Sequence, residues 1–191
     1  TYGGVYDGAL ADAISYATTN SIPILNISIC GETFDSDLFD AIFNYPGLVV
    51  CAAGNYPGGH DIDNPLHRTY PACFLGSNII AVGNSTSNDT KAYSSNYGQM
   101  SVDLFAPGED IYSTIPNNLY DYYSGTSMAS PLVAGVAALL LSIDSSLTTT
   151  QLRNAILGGV DYCSSLSNYC ATGGRLNAYK AALNMHLIFH L

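Results

Sequence analysis

Four stretches of this chain carry apolar residues side by side: SIPILNISIC, LVVCAAGN, NIIAVGN and SVDLFAPG. A strand with one wet face alternates apolar and polar residues, whereas a strand covered on both faces does not have to. Leu10, Ala13, Ile14 and Ala17 recur at helical spacing, and so do Leu38, Phe39, Ile42 and Phe43, with Pro46 and Gly47 as a stop. Helices alternating with doubly covered strands predict an α/β fold, a mostly parallel sheet flanked by helices in three layers. The expected elements are a helix over 7–19 and strands over about 22–30, from Leu48 to the turn at Gly54, over 78–84 and over 101–108. IYSTI and YDYYSG on either side of PNNL predict a hairpin. Further helices are expected over about 149–157 and 176–185. The stretch 54–77, rich in Gly, Pro, Asn and His, reads as a long loop of the kind that carries function.

The chain has 191 residues, enough for one domain with a real core. Fifteen acidic side chains against five basic ones give a formal charge of −10, which argues against nucleic acid or an anionic membrane as partner. The longest apolar run, PLVAGVAALLL, is too short to cross a membrane. No signal peptide opens the chain and no Met begins it, so the expectation is a start partway through a larger protein. The five cysteines form no C-x-x-C pair, which speaks against zinc. CSSLSNYC leaves two readings open, a Cys163–Cys170 disulfide or two free thiols, while Cys30 and Cys51 read as core residues. Asn84 and Asn88 begin glycosylation sequons in what reads as a polar loop, a pointer to the secretory pathway or the extracellular space.

Residues 122–141, YSGTSMASPLVAGVAALLLS, set small polar residues directly before the apolar run. Local chemistry caps the helix with Ser130 and puts Pro131 in its first position. Ser127 then lies within about one turn of the helix start, where free N–H groups and the helix dipole favour an oxyanion. The cluster is therefore either a cap or the setting for a reactive serine, and a serine of that kind needs a base beside it.

GTSMASPLVAG resembles the nucleophile motif of the subtilisin-like serine peptidases, the subtilases, with Leu132 standing where that family usually has His. ILNISICG, VVCAAGN, RTYPACFLGSNIIAVGN, YSSNYGQMSVDLFAPGEDIYSTIP and GGRLNAYKAAL are similar to further segments of the same family. The resemblance implies the C-terminal two thirds of a catalytic domain over residues 1–185, with 186–191 as an unassigned tail. It implies Ser127 as the nucleophile, and Asn55 with the Ser127 N–H as oxyanion donors. It also implies Ser28, Ile29 and Cys30 along the substrate backbone, and Ala52, Ala53 and Gly54 as a wall of the pocket beside the scissile bond. Cys30 stands where the family commonly has Gly.

The family's triad Asp and His belong to segments upstream of this chain, so neither role is carried to Asp7, Asp12, His60, His67, His186 or His190. The function so implied is a serine endopeptidase acting on proteins or peptides through an acyl-enzyme, with the missing N-terminal part of the same domain as its necessary partner. The alternative is an inactive pseudopeptidase serving as a binding or structural module. A different serine hydrolase, with Asp161 and then His186 or His190 completing the triad, is a further rival. No cofactor is required for the chemistry. Calcium often stabilises the family, but Asp61, Asp63 and Asn64 in HDIDNP read as a solvated loop.

Overall fold

The computed structural model describes residues 7–189. A six-stranded sheet forms the middle layer, built from β1 (Ile24–Ile27), β2 (Leu48–Ala52), β3 (Ile79–Ser85), β4 (Leu104–Pro107), β7 (Asp161–Tyr162) and β8 (Gly174–Arg175). Its order is β1-β2-β3-β4-β8-β7. Every neighbouring pair from β1 to β8 is parallel, and only β7 runs antiparallel to its neighbour. Helices α1 (Asp7–Thr19) and α2 (Ser36–Phe43) belong to the layer on one face, and α3 (Thr126–Ile143), α4 (Thr149–Gly158) and α5 (Ala178–Phe189) to the layer on the other.

The two faces share out each strand by its period of two. Val49 and Cys51 of β2 join Ile14, Leu38 and Ile42 in one core, while Leu48 and Val50 join Val133, Ala137, Leu140 and Ile156 in the other. Every residue of β2 and β3 is buried, which is why these runs are apolar without alternation. The expected helix boundaries hold to within about two residues for α1, α2, α4 and α5, except that α5 runs on to Phe189 and crosses the expected tail boundary at 185. The regular part of β1 is shorter than expected. After Ile27 the chain stays outside the named strands until Gly31 bridges to Tyr70.

Three expectations need correction. First, α3 begins at Thr126 rather than at Ser130, and Pro131 lies inside it. A proline in a helix has no N–H for the carbonyl four residues earlier, which here is that of Ser127. That carbonyl is satisfied instead by the Ser28 hydroxyl, which donates to it at 3.0 Å. A partner 99 positions away thus lets the helix run through the proline. The earlier start gives α3 18 residues with a mean hydropathy of 1.8, long and apolar enough to cross a membrane by length and composition. It packs instead along β1, β2, β3 and β4 as a core helix.

Second, the run PLVAGVAALLL, apolar nearly all round, implies a helix lying in the core, but α3 is not enclosed on every side: Leu132, Leu139 and Ile143 are 39%, 47% and 57% exposed. Third, Asn84 of the first sequon is not in a loop. It belongs to β3 and is buried, so only Asn88 offers an exposed acceptor. The open question about the cysteines resolves to free thiols: Cys163 Sγ donates to Asp161 O at 3.3 Å, and Cys170 is buried near the Thr172 hydroxyl.

The predicted hairpin is present as β5 (Ile111–Ile115) and β6 (Leu119–Tyr123), a separate antiparallel ribbon leading into α3. Asn117 and Asn118 turn it at φ of 69° and 57°, a left-handed conformation that Asn tolerates.

Candidate active site

The carboxyl ends of parallel strands are where open α/β sheets gather functional groups. Here Ser28 follows β1, Asn55 follows β2 after the turn at Gly54, and the N-terminus of α3 brings Ser127 to both. The sequence places these residues up to 99 positions apart; short polar bonds join Ser28 to Ser127, and Asn55 is joined to α3 through Thr126. Ser127 Oγ donates to Ser28 O at 3.1 Å, the Ser28 hydroxyl returns a bond to Ser127 O, and Ser28 Oγ lies 3.1 Å from Ser130 Oγ. Ser130, expected as a cap, is instead fully buried in this contact.

Asn55 is oriented without ambiguity. Thr126 N–H donates to its side chain at 3.0 Å, so the atom facing Thr126 must be the carbonyl oxygen Oδ1. The Nδ2 donor is left for another acceptor, and Asn55 as a residue is exposed. Thr126 adds a second link, accepting the Gly54 N–H on Oγ1 at 3.2 Å. Thr126 is fully buried and was not singled out from the sequence, because capping chemistry gives it no distinct signal. Ser127 lies in the first turn of α3, where N–H groups have no helical carbonyl to meet and the dipole is positive. Its side chain is half-buried, so the hydroxyl is not sealed in the core.

A lysine braces the loop after Asn55. Lys91 Nζ donates to the carbonyls of Ala92, Ser95, Tyr93 and Gly58 at 3.0, 3.2, 3.3 and 3.4 Å, and lies over the rings of Tyr97 and Tyr169. Burial pushes its ammonium below the ordinary lysine value. Together with the Tyr56 N–H to Ser94 O bond at 2.8 Å, this ties the loop to the 92–95 turn. Of the remaining expected residues, Ala52, Ala53 and Gly54 are buried, whereas Ile29 and Cys30 are exposed beside them; the reading of Cys30 as a core residue is thereby corrected, because β1 ends at Ile27 and Cys30 lies beyond the covered part of the sheet.

Among the described residues no imidazole is bonded to Ser127. His60 and His67 pack against one another with tilted rings, centroids 4.0 Å apart, and His60 stacks on Tyr56 at 3.6 Å. The rival triad through Asp161 fails on geometry: that carboxylate is bonded to Lys180, Arg175 and Asn177 at the far edge of the sheet. His186 and His190 have side chains outside the described residues. In the acidic loop, Asp63 takes the N–H groups of Met100 and Ser101, Asp61 takes that of Asp63, and Asn64 takes that of Leu66. These oxygens brace the loop.

A mostly parallel sheet between helix layers makes this an α/β protein, and a serine in the first turn of a core helix close to an asparagine amide is an arrangement able to stabilise an oxyanion. The chain belongs to the subtilase family, whose family model matches residues 1–171. It is 42% identical to thermitase from Thermoactinomyces vulgaris over 176 residues, 91% of this chain and 58% of that protein. It is 41% identical to a thermophilic serine proteinase from Bacillus sp. (strain AK1), over 90% of this chain and 40% of the other. Among solved structures, the prenylagaramide maturation protease PagA superposes with a TM-score of 0.81 at 28% identity, covering 97% of this chain and 69% of that one. The chain thus spans between two fifths and three fifths of the length of these two curated relatives.

Proposed function

We propose that this chain carries the nucleophile and oxyanion side of a serine endopeptidase that hydrolyses internal peptide bonds of extracellular or secretory-pathway substrates. The observation that carries the reading is the juxtaposition at the start of α3: a half-buried Ser127 hydroxyl beside an Asn55 amide whose donor end is left free by its bond to Thr126. Ser127 Oγ attacks the substrate carbonyl, and the oxygen becomes an oxyanion held by Asn55 Nδ2 and the Ser127 N–H. Collapse of the oxyanion breaks the C–N bond and expels the protonated amine half of the substrate, and water then hydrolyses the ester left on Ser127 to release the acid half. Ser28, Ile29 and Cys30 hold the substrate main chain by strand addition, and Ala52, Ala53 and Gly54 border the pocket.

Among the described residues Ser127 Oγ has only the Ser28 carbonyl as its bonded partner, and a carbonyl cannot accept and return the proton of a catalytic cycle. We therefore assign the base His and its orienting Asp to a part of the protein outside the described side chains, with a segment upstream of this chain as the place expected. The lengths of the matched relatives support this, because each extends well beyond the matched region. The reaction proposed uses no cofactor.

The test is an assay of the complete protein on an unstructured protein substrate, with phenylmethylsulfonyl fluoride as probe. Cleavage at internal bonds, sulfonylation of Ser127 and loss of both in Ser127→Ala are expected. Cleavage undiminished in Ser127→Ala would refute the assignment, and a protein that binds peptides but never cleaves them would be the pseudopeptidase.

A further inference from the structure

Two chain segments beside Ser127 and Asn55 form the walls of a narrow slot. One wall is the segment Ser28–Gly31 that continues β1, and the other is Ala53–Asn55 that continues β2. The far end is closed by Thr69–Tyr70, because Gly31 and Tyr70 exchange two backbone bonds of 2.9 and 2.8 Å. Gly54, at φ 95°, faces three side chains across the slot. A Cβ on it would lie 2.8 Å from Asn96 Nδ2, 3.1 Å from Cys30 Sγ and 3.5 Å from Thr69 Cγ2. The thiol and the methyl group therefore reach the opposite wall. Thr69 cannot swing away without losing the bond from its Oγ1 to Ala53 O at 2.8 Å, and Asn96 Nδ2 donates to the same oxygen at 3.2 Å. Both Thr69 and Asn96 are buried, so this end of the slot is fixed, whereas Cys30 is exposed at its mouth.

We infer that Cys30 and Thr69 are specificity-determining residues: they shorten the slot so that it takes only a small, uncharged side chain from the substrate residue whose carbonyl Ser127 attacks. The inference rests on the reading of Ser127 as nucleophile. A peptide added as a strand along Ser28–Cys30 sends alternate side chains to opposite faces. With its attacked carbonyl at Ser127 and the oxygen at Asn55, that residue's side chain enters between the two walls. An alanine methyl asks for little room in front of the Cys30 thiol. A phenyl ring or a lysine stem would have to displace the thiol and then meet the Thr69 methyl, which its own hydrogen bond holds in place.

The experiment compares kcat/KM of the complete protein on two peptide anilides that differ only in Ala or Phe at that residue. The alanine substrate is expected to be favoured by about tenfold or more. Cys30→Gly and Thr69→Ala are each expected to move the ratio about tenfold toward Phe, because each empties part of the slot. A wild-type preference for Phe, or a ratio unmoved in both variants while both substrates are cleaved, overturns the inference and leaves Ser127 untouched. If neither substrate is cleaved, the nucleophile reading fails, and the slot is read without turnover from the rate at which methyl methanethiosulfonate modifies Cys30. There the thiolate attacks the sulfenyl sulfur and methanesulfinate leaves, with the modified residue located by mass spectrometry. An acetylated tetrapeptide ending in alanine is expected to slow that modification, and its phenylalanine counterpart is not. Equal rates with both peptides and with none overturn the slot.

Discussion

The mouth of α3 and the far edge of the sheet are both rich in polar contacts, but of opposite kinds. At the mouth the groups are neutral: hydroxyls, an amide and backbone atoms joining Ser28, Gly54, Asn55, Thr126, Ser127 and Ser130. At the edge they are charged, with Arg175 on Asp89 at 2.6 Å and on Asp161 at 2.9 Å, and Lys180 on Asp161 at 2.6 Å. Neutral groups can be buried without the cost of stripping water from a charge, so they can fix positions in a packed interior. Exposed ion pairs remain hydrated and fix little. At the start of α3, where Thr126 is bonded to Asn55 and Ser127 to Ser28, the fold uses the neutral kind.

The largest expected effect is at the mouth. Ser127→Ala in the complete protein should lower kcat by about 10⁶-fold with little change in thermal stability, measured by initial rates and by the melting curve. Asn55→Ala comes next, with a loss of about 10²–10³-fold in kcat and a small change in KM, because the missing donor acts on the oxyanion rather than on bound substrate. An equal loss from an edge mutation would break the contrast between the two regions.

A third region sharpens the contrast. Arg153 of α4 bonds the Asp103 carboxylate at 2.6 Å and also the carbonyl of Ile79, and Asp103 is the least exposed of these carboxylates, at 16% against 25% for Asp161 and 43% for Asp89. Burial holds the Asp103 carboxyl above its ordinary value of 3.8 despite the opposing pull of Arg153. Ionisation of Asp103 therefore costs the fold, and its stabilising contribution is lost as pH rises through the folded-state value. Arg153→Met removes the compensating cation. We expect a loss of about 3 kcal/mol near neutral pH, read by urea unfolding and smaller at pH 4, with activity per folded molecule unchanged. If the loss is equal at both pH values, the buried-charge account is wrong.

The smallest effect belongs to the edge. Lys180 first, then Asn177 and Arg175, hold the Asp161 carboxyl below 3.8. Its stabilising contribution is present above 3.8 and is lost as pH falls through the lower folded-state value. Asp161→Asn should cost under about 1 kcal/mol at neutral pH and should flatten the acid limb of the stability profile, as measured by thermal melts between pH 2 and pH 5.

Much of this was legible beforehand, and the misses share a cause. Runs such as LVVCA and IIAVG announced doubly covered strands because every position in them is buried. The spacing of Leu38 and Ile42 announced α2 because both point into the core. The start of α3 was misread because Ser130-Pro131 satisfies every local rule for a helix beginning, while the residue that makes a different beginning possible is Ser28. The exposed side of α3 was equally hidden. Leu132, Leu139 and Ile143 are as apolar as Val133 and Leu140, and only the placement of the strands separates the two sets.

The sequence by itself determined the layers of this protein, since hydrophobic period depends on neighbours within a few residues. It also marked Ser127 and Asn55, through a string of residue types that few other contexts assemble. Only the tertiary structure decided which way the Asn55 amide points, what satisfies the Ser127 carbonyl that Pro131 leaves open, and what stands between the walls of the slot. Those are contacts between segments from 16 to 102 residues apart, and no local propensity carries their geometry.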